Sequence, residues 1–361
     1  MEINKMNILI FNWRDIKNSS AGGAEFYLHE QAKIWAKQGN EINWICGGWT
    51  GCLKNEIVDG VNIRRIGGEF TQYMLAPFEY IKLKNKADVI IDAENGIPFF
   101  TPLYSKKKII LLIHHIHRDV WFKEKKFPIS WIGNFLETKI MPFIYKNKRI
   151  VTVSPSSLEE INKIMKNNSV DVVYNAISDK CYDTKKKGGQ NIIFVGRIKK
   201  YKSIDVLLKA VSRIDKNLIV NIVGRGDDEL RLKNITKLLG LKNVRFWGFV
   251  EESEKIKLLQ NATLAVNPSF VEGWSITNIE ANACGTIVIG SNVNGIKDSI
   301  IDKKTGLLFK YGDEKELAEK ISSLLGDRRL REKMEAEAIR RAKNFSWTAS
   351  AEKFLSILKE S

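Results

Sequence analysis

Two carboxylates stand eight positions apart in Phe270-Val-Glu-Gly-Trp-Ser-Ile-Thr-Asn-Ile-Glu-Ala-Asn-Ala-Cys-Gly285: Glu272 in a loop, and Glu280 inside a helix predicted to begin near Ser275. The free N–H groups and positive dipole end of a helix N-terminus form an anion site suited to a pyrophosphate. A carboxylate cannot hold phosphate, but it accepts hydrogen bonds from hydroxyl groups. The ligand that fits has a diphosphate in the middle and a hydroxylated ring at each end, which is the chemistry of a nucleotide sugar. The plainer alternative is a pair of solvated helix-surface glutamates.

A second group lies upstream. Phe194-Val-Gly-Arg-Ile-Lys-Lys-Tyr-Lys-Ser-Ile-Asp205 puts Gly196 and Arg197 after a buried strand and Lys202 five residues on, before a helix. Ligands bind at strand ends in open α/β sheets, and two fixed cations there can balance a diphosphate leaving group without a metal. Surface solubility is the competing role for both. Ile222-Val-Gly-Arg-Gly-Asp227 ends another strand at Gly224, a turn too common to carry weight alone. In the first half, Ser20-Ala-Gly-Gly-Ala-Glu25 opens a helix. It lacks the full dinucleotide spacing, so Gly22 and Gly23 read as a place where backbone approaches a ligand. His114, His115 and His117 cluster after a buried strand, with no carboxylate or Cys motif to complete a metal set.

These residues need elements to position them. Strands are expected at Ile8 to Asn12, Glu41 to Cys46, Val61 to Arg65, Val89 to Asp92, Ile109 to His114 and Ile150 to Ser154, with a helix from about Ala24 to Gln38. After a Lys185 to Gly189 turn the pattern restarts: strands at Asn191 to Gly196, Leu218 to Gly224, Val244 to Phe246, Leu264 to Asn267 and Ile287 to Gly290, and a helix from Ser203 to Ser212. Such alternation predicts stacked βαβ units around parallel sheets, in two α/β halves. A charged helix around Arg328 to Lys343 precedes a last one, Trp347 to Lys359, with Ser346 as its N-cap.

A chain of 361 residues suits two such domains. No apolar run is long enough for a membrane span or a signal-peptide core, so a soluble cytoplasmic protein is expected. Cys46, Cys52, Cys181 and Cys284 are scattered and read as reduced and structural. The net charge of +16 calls for an anionic partner. Basic residues crowd Ser105 to Ile150, interleaved with Trp121, Phe122, Phe127, Trp131, Phe135 and Phe143.

Taken together, the Gly22–Gly23 loop, the histidine after a first-domain strand, Gly196-Arg197 with Lys202, and Glu272-x7-Glu280 followed by Ala-Asn-Ala-Cys-Gly-Thr286 resemble the retaining GT-B glycosyltransferases of family 4 over nearly the whole chain. The resemblance implies two Rossmann-like α/β domains with parallel sheets facing across a cleft. Residues 1–178 would form the acceptor domain, with the helix 346–361 packed on it, and residues 179–345 the nucleotide-sugar domain. It implies that Arg197 and Lys202 hold the diphosphate, Glu280 the ribose hydroxyls and Glu272 the donor sugar. Gly196, Gly224 and the backbone of Gly273, Trp274, Ser275, Ile276 and Thr277 would lie beside the donor, with Gly22 and Gly23 approaching it. His115, in preference to His114, would stand near the reacting sugar. Ser275 replaces the family's usual Gly, and Ile287 its usual Pro.

The expected reaction is transfer with retention to a hydroxyl of a glycan or lipid-linked acceptor, by front-face attack, since no carboxylate pair is placed as nucleophile and acid. No cofactor and no metal are expected. The alternatives are another GT-B enzyme, an epimerase or phosphorylase, or a non-catalytic basic module for nucleic acid or membrane. Nucleic acid is disfavoured because no zinc finger, RNP motif or helix-turn-helix is legible. Peripheral binding to an anionic membrane is expected from the aromatic and basic segment, the alternative being that its aromatics are core.

Overall fold

The computed structural model describes residues 5–166, 168–182, 191–215 and 218–360; the expected Lys185 to Gly189 turn lies outside them. The chain forms two compact units, residues 1–175 with 347–361, and residues 176–346.

The first unit holds strands β1 (Asn7–Phe11), β2 (Glu41–Gly47), β3 (Asn55–Val58), β4 (Val61–Ile66), β5 (Val89–Glu94), β6 (Lys108–Ile113), β7 (Arg149–Thr152) and β8 (Val170–Val172), in the order β3-β4-β2-β1-β5-β6-β7-β8. Every pair is parallel except β3 with β4. The inner strands are mostly apolar because helices cover both faces, as in β5, all of whose residues are buried, Asp92 and Glu94 at its end included. Ile8 of β1 stands between Ile42 and Val89. Strands fill in on opposite sides of the β1/β5 junction, so the loops after these two strands diverge there and leave a crevice.

The second unit holds β9 (Asn191–Val195), β10 (Ile219–Val223), β11 (Val244–Gly248), β12 (Leu264–Asn267), β13 (Ile287–Ser291) and β14 (Gly306–Phe309), all parallel, in the order β11-β10-β9-β12-β13-β14. Its switch point lies between β9 and β12. Ile192, Phe194, Ile222, Val266 and Ile289 build its core with the amphipathic helix Ile204–Ile214.

The helices begin within a residue or two of expectation, at Gly23–Lys37, Ile204–Ile214 and Trp347–Lys359. Strands β3, β8 and β14 were not expected. β3 pairs with β4 through Asp59 and Gly60, both at positive φ, so the Asp-Gly dipeptide makes the tight turn of a hairpin. The helix Trp347–Lys359 packs in the first unit: the Trp35 indole donates to the Ala351 carbonyl at 2.9 Å and stacks edge-on against Phe354, and Ser350 donates to the Tyr174 carbonyl at 2.6 Å.

Candidate functional site

In the second unit the site grows from the β9/β12 switch point. Gly196, at φ +156, ends β9, and Arg197 leads into a short 3-10 turn over Lys200–Lys202. The loop after β12 comes back to it, with the Phe270 amide donating to the Tyr201 carbonyl at 2.8 Å. This contact delivers Glu272 to Lys202, and the ammonium pairs directly with Glu272 Oε1. Ser269 donates to the same oxygen at 2.9 Å. Burial lowers the Lys202 pKa, but the Glu272 carboxylate outweighs it and holds the ammonium above its usual range. Arg197 is exposed and donates to the Tyr201 hydroxyl at 3.2 Å, so both predicted diphosphate cations border one tyrosine.

Gly224 answers to packing. A Cβ there would stand 1.9 Å from the Gly196 carbonyl oxygen, and one on Gly226 would stand 1.9 Å from that of Ile198. The turn after β10 thus lies flat on the turn that carries Arg197. Gly295 plays the same part beside Glu272, where a Cβ would fall 2.0 Å from the Glu272 carbonyl oxygen.

The helix predicted to begin near Ser275 spans Ile276–Ala283. Ser275, where the resembled family has Gly, sits at φ +63. Its hydroxyl accepts from the Asn267 amide at 2.7 Å, and Asn267 also donates to Asn278 Oδ1 at 3.0 Å, so a buried polar network holds the turn. The backbone from Gly273 to Thr277 forms the helix entrance, while the Trp274 side chain points into the core and stacks edge-on against Phe345. Glu280 is buried, not solvated. Lys255 donates to its Oε1 at 2.8 Å, and its Oε2 has no hydrogen-bond partner among the described residues. Sequence reasoning missed Lys255, Ser269 and Asn267: Lys255 and Asn267 lie on different elements from the glutamate and helix turn they support, and Ser269, in the same loop as Glu272, reaches it only through the fold of that loop.

In the first unit, Gly22 is the N-cap of the helix Gly23–Lys37, and Glu25 folds back to accept from its amide at 2.7 Å and from the Trp13 indole at 2.7 Å. A carboxylate therefore already occupies this helix entrance. His114 is buried edge-on against Tyr27, and burial, with the nearby His117 charge, pushes its pKa down to about 3. It is neutral at ordinary pH. His115 is half-buried, its ring 4.3 Å from that of His117.

The histidine cluster does have carboxylates beside it, contrary to the sequence reading. His117 Nδ1 lies 3.3 Å from Glu137 Oε1 and 3.6 Å from Glu94 Oε1. Glu94 ends β5 and Glu137 comes from a later helical turn, so only folding brings them together. Burial and then the Glu137 charge raise the Glu94 pKa, with His117 opposing, to about 8.

The aromatics of the basic segment are divided. Trp121 packs against Gly96 and Gly133, but Phe127 (79% exposed), Trp131 (64%) and Phe143 (80%) face outward, so the reading of this group as core fails for them. No helix among the described residues is long and apolar enough to cross a membrane.

Residues 21–180 match the family model Glycosyltransferase Family 4, and residues 182–341 match Glycosyl transferases group 1. A D-inositol 3-phosphate glycosyltransferase of Corynebacterium diphtheriae is 31% identical over 174 residues, 45% of this chain and 41% of that protein. The chain spans about half the length of the curated relatives it matches. Among solved structures, the sucrose-phosphate synthase from Thermosynechococcus elongatus superposes with a TM-score of 0.85 at 18% identity, covering 99% of both chains. HepE from Anabaena, in complex with UDP-glucose, gives 0.80 at 16% identity, covering 99% of this chain and all of that one. At such identities the likeness concerns the fold.

Proposed function

We propose that this chain, a GT-B glycosyltransferase by its fold and its two matched domains, transfers a sugar from a nucleotide diphosphate to a hydroxyl acceptor with retention and without a catalytic metal. The observation that carries the reading is the ion pair of Lys202 with Glu272 beside Arg197, at the switch point of the second sheet. In this reading a donor diphosphate takes over Lys202. Glu272 is then released to accept hydrogen bonds from the sugar hydroxyls. The buried Glu280 receives the ribose hydroxyls at the oxygen that lacks a partner.

Retention follows from attack on the face the phosphate leaves. The anomeric C–O bond to phosphate breaks, the acceptor oxygen bonds to the same carbon, and the acceptor's proton passes to the departing phosphate. Arg197 and Lys202 stabilise the charge growing on that phosphate, a stabilisation stronger in the transition state than in the ground state. Gly22 and Gly23 approach the donor from the first unit and His115 stands near the reacting sugar, His115 being preferred to His114 because His114 is buried against Tyr27.

The acceptor is assigned as a lipid-linked or glycan hydroxyl, reached at the inner face of a cytoplasmic membrane. Supporting this are the exposed Phe127, Trp131 and Phe143 among Lys123, Lys125, Lys126, Lys139 and Lys146. Aromatic rings settle at headgroup level, and lysines are drawn to anionic lipid.

The test is calorimetric titration with UDP-, GDP- and ADP-sugars, followed by mass spectrometry of transfer into a membrane extract. Saturable binding of one class with transfer of its sugar is the expected result. A chain that binds none of the three is not this enzyme.

A further inference from the structure

The cluster Glu94, His117 and Glu137 lies in the first unit, on elements apart from the cation and glutamate pairs of the second. Both carboxyl groups are fully buried. Glu137 is engaged by backbone N–H groups of His117 and Arg118 and by the Trp121 indole, which fix it across the entrance of the helix Arg118–Glu124. Oε2 accepts two of these bonds, while Oε1 accepts one and still has lone-pair capacity. Glu94 accepts from the Gly96 amide through Oε1, while its Oε2 is buried without a hydrogen-bond partner among the described residues. A buried carboxylate oxygen left in this state costs free energy unless a proton or a cation meets it.

Each residue offers one ligand atom, and the three atoms lie within 4.8 Å of one another. Bonds of about 2.1 Å to one ion place neighbouring ligand atoms roughly 3.0 to 3.5 Å apart, for octahedral to tetrahedral angles. Of the two separations from His117 Nδ1, 3.3 Å falls within that spacing and 3.6 Å just beyond it. We propose that Glu94, His117 and Glu137 form a binding site for a divalent first-row transition ion, one imidazole nitrogen and two carboxylate oxygens serving as ligands.

The donor set selects the class of ion. Mg²⁺ and Ca²⁺ prefer all-oxygen shells, whereas an imidazole with carboxylates suits Zn²⁺ or Mn²⁺. Glu137, already oriented by three N–H donors, is the fixed ligand, and Glu94 faces His117 through Oε1, with the oxygen that lacks a hydrogen-bond partner on the same carboxylate. The ion would brace the loop after β6, which carries His115, against the end of β5.

The test is titration of Zn²⁺, and separately Mn²⁺, into the full chain after treatment with chelator and its removal. One ion per chain and a rise in Tm are expected, since an ion that binds only the folded state stabilises it. E94Q, which keeps the shape of a protonated carboxyl, and H117A should each weaken binding at least about tenfold and abolish the Tm rise. E137Q is set aside because that carboxylate also caps a helix. Absence of a one-to-one binding event in the wild type overturns the site. Equal affinity in wild type and E94Q overturns it as well, and an E94Q variant more stable than an ion-indifferent wild type assigns a proton to the cluster instead.

Discussion

Lys202 and Glu272, 70 residues apart in sequence, form an ion pair whose halves are carried by the loops after β9 and β12. Neither loop holds the pair alone. The hydrogen bond from Phe270 to Tyr201 fixes their spacing, so a cation and a carboxylate meet where neighbouring crossovers diverge.

Lys202→Ala and Glu272→Ala should each lower kcat/KM at least about tenfold, and the double variant should lose more than the two combined, because the ion pair they share belongs to the free enzyme and is given up when the donor binds. Added Mg²⁺ should not restore Lys202→Ala. In Glu272→Gln the anion that raises the Lys202 pKa is gone while burial still lowers it. The alkaline loss of donor affinity should therefore begin at lower pH than in wild type. Additive losses, or an unmoved alkaline limb, would show that the two side chains act separately.

Glu280→Gln should weaken nucleotide diphosphate binding by about 1.5–3 kcal/mol, the worth of a hydrogen bond to a charged group. Lys255→Met removes the partner at 2.8 Å and strands Glu280 in the interior, so it should lower stability as well as affinity. Calorimetry with the nucleotide alone and urea unfolding separate the two effects. Unchanged nucleotide affinity in Glu280→Gln removes this residue from the site.

Arg65 grips Asp15 through two hydrogen bonds of 2.7 and 3.0 Å, with both side chains almost fully buried. Arg65→Met should cost about 3–5 kcal/mol. Burial raises the Asp15 pKa, and the hydrogen bond and charge of Arg65 reverse this and hold it below the usual carboxylate range. Its stabilisation is therefore complete above the unfolded pKa and fades as pH falls through the folded one. Without Arg65, burial is opposed only by the hydrogen bonds of the Lys17 amide and Cys46, so the loss should start at higher pH, which urea midpoints across the acid range will register.

Gly224→Ala brings a methyl group to 1.9 Å from the Gly196 oxygen at a φ of +133. The backbone must shift, and a loss above about 3 kcal/mol is expected. A variant with wild-type urea stability would mean that the two turns separate without cost.

Sedimentation with anionic liposomes should recover the wild-type chain, salt should release it, and Lys123→Glu, Lys125→Glu and Lys126→Glu together should abolish binding at about 1 kcal/mol per lysine. Replacing Phe127 and Trp131 by Ser should weaken the binding that survives in salt. Equal recovery with neutral and anionic liposomes would argue for a soluble acceptor.

Much of this was legible because strands buried on both faces read as unbroken apolar runs and each announces its end with glycine or charge. Asn191 to Gly196 and Val89 to Asp92 are of that kind. Strand β8 is three half-buried residues, and β14 is the short run Gly306–Phe309, so neither has such a signature. Lys202 was found because it follows a strand, and Glu272 because it stands with Glu280 beside a helix N-terminus. Glu94 also ends a strand, but its meaning depends on Glu137, which a separate helical turn delivers. The pairing of Glu280 with Lys255 was hidden likewise, since helix periodicity tells which face a residue occupies and not what rests on that face.

The return of Trp347–Lys359 to the first unit separates the order of synthesis from the order of completion. Trp35 leaves the ribosome early, yet the carbonyl it donates to belongs to Ala351 and its ring neighbour is Phe354. All of the second unit is made in the interval. The nascent first unit therefore waits with the apolar surface that this helix covers exposed to water, the sort of surface chaperones hold. Translation arrested before Trp347 would leave that surface exposed.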